Sequence, residues 1–212
     1  MKIYNLYLVT DRDACLGRSL EEVVKQAVRG GVTMVQLREK VLETRYFIEE
    51  ALRLKQLLQP YHVPLIINDR VDVALAAGAD GVHIGQRDMP YTCVRQITHD
   101  KMIIGLSVEN MQQALEAEHL DVDYLGVSPV FATPTKTDFE EKPWGLEGLL
   151  ELRKVSRHKL IAIGGINASN AATVINAGAD GVAVVSAVCS AGSPEKASAE
   201  LTDIIKTAKY KL

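Results

Sequence analysis

The hexapeptide Ala-Gly-Ala-Asp-Gly-Val stands twice in the chain, at 77–82 and at 177–182. Each copy reads as the end of an alanine-rich helix, a glycine stop, a tight Asp-Gly turn and the start of a short apolar strand. The residues just beyond the two copies differ: His83-Ile84-Gly85-Gln86-Arg87-Asp88 after one, Ala183-Val184-Val185-Ser186-Ala187 after the other. A constant joint carries different polar groups, as the helix-to-strand joint of a βα repeat would.

Eight apolar, β-rich runs alternate with longer amphipathic ones, at 4–9, 34–37, 65–67, 81–84, 102–106, 124–127, 160–163 and 181–184. Helical periodicity falls between them. Over 19–29, Ser19 is the expected N-cap, Glu22 completes a capping box, and Leu20, Val23, Val24, Ala27 and Val28 share one face. Further helices are expected near 44–58, 110–118, 146–154, 168–176 and 194–207. Eight units in 212 residues average 26.5 residues each, lean beside the ~250 residues usual for such a barrel. The expected fold is therefore a single (β/α)8 TIM barrel with short loops, one domain over residues 1–212. A doubly wound open sheet is the rival. The two hexapeptides argue against it, because they precede the fourth and eighth strands as in a quasi-duplicated half-barrel.

Composition narrows the function classes. Hydrophobic residues make up 47% of the chain, enough for one well-buried core. A net charge of −3 gives no global attraction to nucleic acid or to an anionic membrane. Any anionic ligand must be held by a local cluster of donors. The first apolar stretch, 3–9, is too short for a signal peptide or a membrane span, so a cytoplasmic protein is expected. Cys15, Cys93 and Cys189 are an odd set with no close pair, which argues for reduced, mostly structural thiols rather than a disulfide frame or a zinc site.

In such a barrel the reacting groups sit where strands end and loops begin. After the second strand, alternation sends Gln36, Arg38 and Lys40 to one side and Leu37 and Glu39 to the other. Cations aimed into a closed barrel are costly unless they bind something. The third and fourth strands end near Asp69 and Asp88, a carboxylate pair suited to Mg²⁺, which takes one or two carboxylates plus waters and phosphate oxygens. The alternative for Asp69 is a helix cap, a role Asp72 could also fill. The fifth strand ends at Ser107, with Glu109-Asn110 behind it as candidates to start the next helix. The sixth leads into a proline-spaced loop carrying Ser128, Thr133, Thr135, Lys136 and Thr137. Glycines after the seventh strand (Gly164, Gly165) and small residues after the eighth (Val185, Ser186) suit a phosphate monoester cradle. His83 reads as a core or supporting histidine rather than a general base. Two phosphorylated substrates, or one with two phosphate ends, are implied, with the cations and metal stabilising a departing diphosphate.

The strings LYLVTD (6–11), VQLREK (35–40), INDRV (67–71), GVHIGQRDMP (81–90), GLSV (105–108), YLGVSPVFATPTKTD (124–138) and AIGGI (162–166) together resemble the thiamine phosphate synthase family. The resemblance runs from about residue 6 to 188 and keeps the motifs in order. It implies a Mg²⁺-dependent barrel enzyme that joins a pyrimidine methyl diphosphate to a thiazole phosphate and releases pyrophosphate. By resemblance, Gln36, Arg38, Lys40 and Asn68 would hold the pyrimidine diphosphate, and Asp69 and Asp88 the metal. Ser107 and Lys136 would contact the diphosphate or pyrimidine; Arg38, Lys40, Lys136 and Ser107 would be the catalytic set. Thr133, Thr135, Gly165, Val185 and Ser186 would hold the thiazole phosphate. The family reaction is regarded as dissociative, which needs leaving-group electrostatics and no enzyme nucleophile.

Within the same barrel class, a thiazole tautomerase would lack the carboxylate pair and carry a histidine where this chain has Ser128. A non-catalytic thiamine-precursor binding protein would need an exposed apolar surface beyond the barrel. An aldolase-like enzyme would need a lysine inside a strand. Oligomeric state stays open at this level, a homo-oligomer included.

Overall fold

The computed structural model describes residues 3–133 and 142–209, with backbone only for Asp100. Eight parallel strands pair in chain order: β1 Leu6–Val9, β2 Met34–Leu37, β3 Leu65–Asn68, β4 Gly81–Ile84, β5 Ile103–Val108, β6 Tyr124–Val127, β7 Leu160–Ala162 and β8 Gly181–Val184. β8 then closes on β1 through Leu6↔Val182 and Leu8↔Val184, which excludes an open sheet. Strands covered on both faces need continuous apolar runs. β1, β2 and β3 are accordingly buried throughout, and β4 at every position but His83.

The helices are α1 Leu20–Arg29, α2 Thr44–Leu58, α3 Val71–Ala77, α4 Tyr91–Thr98, α5 Met111–Ala117, α6 Gly145–Val155, α7 Ala171–Asn176, a short α8 Ser186–Cys189 and α9 Pro194–Lys209. α9 lies between α7 and α1 and completes the outer ring. Ser19 caps α1 by accepting from Glu22 N at 3.5 Å, but the Glu22 carboxylate bonds Gln26 Nε2 instead of completing the box. No described helix is long and apolar enough to cross a membrane.

Among the described residues two apolar cores form. The larger fills the space between barrel and helices. The smaller sits inside the barrel and gathers Tyr7, Val9, Met34, Ile66, Tyr124, Ile161 and Ala183.

The repeated joint does something other than turn. Asp80 N donates to Leu65 O at 2.9 Å while Asp80 Oδ2 accepts from Leu65 N at 2.9 Å, so the residue before β4 clamps the start of β3 from both sides. Asp180 clamps Leu160 of β7 in the same way. So does Asp123 with Ile104 of β5, and Thr33 uses its hydroxyl on Leu6 of β1. Every even strand is thus pinned to the odd strand before it. The glycine next to each hexapeptide Asp is required by close approach. A Cβ on Gly181 would lie 1.5 Å from Tyr4 O, and one on Gly81 2.4 Å from Ile103 O.

Candidate active site

The C-terminal ends of the strands surround a cavity of about 580 Å³, within the range of small-molecule sites. Gln36, Arg38, Lys40, Asn68, Asp69, Asp88, Ser107, Thr133, Gly165, Val185 and Ser186 all line it. Thr135 and Lys136 lie outside the described residues.

The β2 end behaves as alternation predicts. Gln36, Arg38 and Lys40 face the cavity, whereas Glu39 turns away to meet Arg12 at 2.7 Å. Arg12 also reaches Glu50 on α2, so an ion triad braces the first two loops from behind. Burial raises the Glu39 pKa, with Arg12 opposing the shift. The Arg38 guanidinium is steadied by Asp11, with Nη1 3.5 Å from Asp11 Oδ2, and the Arg38 backbone N–H donates to Thr10 Oγ1.

Asp69 has φ 60°, in the left-handed region that Asp tolerates better than most residues. Its carboxylate does not cap α3, whose N-terminus has no side-chain cap bond. Lys40 Nζ sits 2.5 Å from Asp69 Oδ2 instead. Asp88 Oδ2 accepts from Gly85 N at 2.7 Å. Burial, with the adjoining Asp69 carboxylate, raises the Asp88 pKa, while the Gly85 N–H and the Lys40 charge pull the other way. Two neighbouring carboxylates on one cavity wall carry more negative charge than the single Lys40 ammonium offsets, which leaves room for a further cation. Among the described residues no third His, Cys, Asp or Glu joins them in a metal-binding group. The donor set fits a hard cation that takes its remaining ligands from water and phosphate oxygens.

Across the mouth, the loops after β6 and β7 pack backbone to backbone, with Val130 N donating to Ile163 O and Phe131 N to Gly164 O. Gly164 (φ 102°) and Gly165 (φ 65°) make this approach possible; a Cβ on Gly165 would lie 2.8 Å from Ala132 O. Beside them α8 begins at Ser186, where the first N–H groups of a helix have no intrahelical acceptor. Asn110 caps α5 by accepting from Gln113 N, as its position behind Ser107 suggests.

Sequence reasoning passed over Tyr7, Gln86 and Tyr124, which also line the cavity. Gln86 Nε2 donates to Ser107 O at 2.6 Å. His83 supports Ser107, with Nε2 2.8 Å from its Oγ, and stacks on Tyr124 at 5.5 Å between centroids. The signal was present in two in-strand glycines, Gly105 and Gly126, since glycine inside a strand marks a close approach.

Together these features define a class: a (β/α)8 barrel whose polar groups gather at the C-terminal mouth, cations and carboxylates on one side and a glycine cradle on the other. The chain belongs to the thiamine monophosphate synthase family, whose model matches residues 6–188. It is 55% identical over 205 residues to a thiamine-phosphate synthase of Albidiferax ferrireducens, covering 97% of this chain and 93% of that one. To the thiamine-phosphate synthase of Vibrio campbellii it is 50% identical over 206 residues, covering 97% and 100%. The solved thiamine phosphate pyrophosphorylase from Pyrococcus furiosus superposes with a TM-score of 0.90 at 40% identity, covering 98% of each chain. A 3-hexulose-6-phosphate synthase at 19% identity and TM-score 0.65 shares the fold.

Proposed function

We propose that the protein is a thiamine-phosphate synthase, a transferase that joins a pyrimidine methyl diphosphate to a thiazole phosphate and releases pyrophosphate. One observation carries the reading: a single cavity holds the Asp69, Asp88, Lys40 and Arg38 cluster on one wall and the Gly165 and Ser186 cradle on another. One wall suits a leaving diphosphate, the other a phosphate monoester that stays on the product.

Charge sets the division of labour. Arg38 and Lys40 bind the diphosphate and stabilise the negative charge that grows on its oxygens as the methylene carbon–oxygen bond breaks. Gln36 and Asn68 orient the pyrimidine, and Ser107 touches it from the floor. Asp69 and Asp88 would hold Mg²⁺, which supplies further charge neutralisation for the departing group. Lys136 and Thr135 join the two walls in this proposal by family resemblance alone. Thr133, Gly165, Val185 and Ser186 fix the thiazole phosphate so that its ring nitrogen faces the exposed carbon and forms the new carbon–nitrogen bond. No enzyme nucleophile is needed; positioning and electrostatics carry the reaction.

The test is a coupling assay with purified protein, both substrates and Mg²⁺, following thiamine phosphate and pyrophosphate in parallel. Equimolar appearance of both, abolished by chelation, is expected. No product at saturating substrates contradicts the reading.

A further inference from the structure

Across the floor of the cavity runs a chain of side-chain hydrogen bonds that the proposed reaction does not use. Gln36 Nε2 donates to Tyr7 Oη at 2.7 Å, and Tyr7 Oη lies 2.9 Å from Tyr124 Oη. Tyr124 Oη lies 2.9 Å from His83 Nδ1, and His83 Nε2 lies 2.8 Å from Ser107 Oγ. The chain is built at a cost. A Cβ on Gly105 would lie 2.1 Å from Tyr124 Cζ and 2.6 Å from His83 Nδ1, and one on Gly126 would lie 2.9 Å from His83 Cε1. Two strands give up their side chains to make room for the stacked His83 and Tyr124 rings.

Proton counting gives the chain a direction. Burial raises the pKa of both phenols, so each is neutral and has one proton to donate. Tyr7 is 2% exposed, and its oxygen already accepts from the Gln36 amide. Its proton therefore goes to Tyr124, and Tyr124 in turn donates to His83 Nδ1. An imidazole that accepts at Nδ1 carries its proton on Nε2 and donates it to Ser107 Oγ. The Ser107 hydroxyl proton is then left over for an acceptor in the cavity that Ser107 lines. Run the other way, with this Gln36 orientation, the chain would put two donors on the Tyr7 oxygen and leave the buried Tyr7 proton with no acceptor.

We propose that His83 is a positioning residue whose hydrogen-bond chain to Gln36 holds Ser107 as an obligate donor to a lone-pair atom of the pyrimidine substrate. The proposal deepens the synthase reading and rests on it for the substrate. It also makes Ser107 selective: a substrate analogue that presents a donor at that point meets a proton rather than a lone pair, and binds poorly.

The direct test needs no substrate. In ¹⁵N-labelled protein, long-range ¹H–¹⁵N correlation, with His83 assigned by its loss in His83→Phe, should report a protonated Nε2 and a bare Nδ1. A proton on Nδ1 overturns the proposal, because Ser107 is then the donor to His83. Kinetics supply the second arm. His83→Phe is expected to lower kcat/KM for the pyrimidine diphosphate about tenfold, with the thiazole phosphate KM unchanged. In a Ser107→Ala background the same substitution should add nothing. An equal further loss there means that His83 does not act through Ser107, and the proposal fails. If the synthase reading itself is wrong, wild-type turnover is absent while the tautomer result still stands, so the two failures are distinguishable.

Discussion

Asp69 combines three demands in one residue: a left-handed backbone, a carboxylate beside Lys40, and a shared wall with Asp88. These demands can be separated by substitution. Asp69→Asn keeps a side chain that tolerates φ 60° and should leave the Tm nearly unchanged while lowering kcat. Asp69→Ala should lose the same turnover and in addition about 1 kcal/mol of stability from backbone strain. Ser186→Ala acts on the opposite wall and should raise the thiazole phosphate KM with little change in kcat. Steady-state kinetics with each substrate varied in turn checks both, and parallel effects on both parameters would contradict the two-sided site. At this scale most of the site was legible in sequence, because strand alternation alone places Gln36, Arg38 and Lys40 on one side and Glu39 on the other. What was illegible was the interior network. Tyr7 and Tyr124 look like ordinary apolar strand residues until the rings are brought together from β1 and β6, 117 residues apart.

At the scale of the elements, stability should depend on joints more than on loops. Asp180 satisfies the buried Leu160 N–H and pairs with Arg153 at 3.1 Å and Lys159 at 2.9 Å. Asp180→Ala should cost about 2 kcal/mol and lower the Tm by about 6 °C in thermal melting. Ser198 on α9 makes the opposite point. Its hydroxyl is buried with no partner, and it sits where a Cβ on Gly30 would lie 2.7 Å from its own Cβ. Small size is what the α1–α9 crossing needs there, so Ser198→Ala should be neutral or stabilise by up to about 1 kcal/mol. Glu118 tests electrostatics. Burial raises its pKa, yet the Ser156 hydroxyl and the Arg157 N–H, helped by the His158 and Arg157 charges, pull it below the ordinary value. A depressed carboxylate contributes stability that is fully present above its unfolded pKa and is lost as pH falls through the folded one. Glu118→Gln should therefore be less stable than wild type at neutral pH, with the gap closing in acid. The helix 44–58 and four strands have their observed bounds written in the sequence pattern. The Asp-Gly joint does not, since a turn and a clamp use the same two residues and differ only in what the neighbouring strand offers.

For the whole molecule, the clamp changes what the hexapeptide means. Two copies suggested half-barrels; the structure repeats the clamp four times, before β2, β4, β6 and β8, with Thr33 and Asp123 in the positions that lack the hexapeptide. Side-chain clamps at the lower rim tie each even strand to the odd strand before it, while the upper rim carries the residues that differ. That difference is what sets a cationic, acidic wall opposite a glycine cradle around one cavity. In the proposed reaction these two walls hold two different phosphate groups at once. The most direct measurement is a crystal structure with Mg²⁺, pyrophosphate and thiamine phosphate bound together. Pyrophosphate is expected between the Asp69–Asp88 pair and Arg38 and Lys40, with the phosphate ester at Gly165 and Ser186. Both phosphate groups on one wall, or the ester among the cations, would contradict the two-walled site.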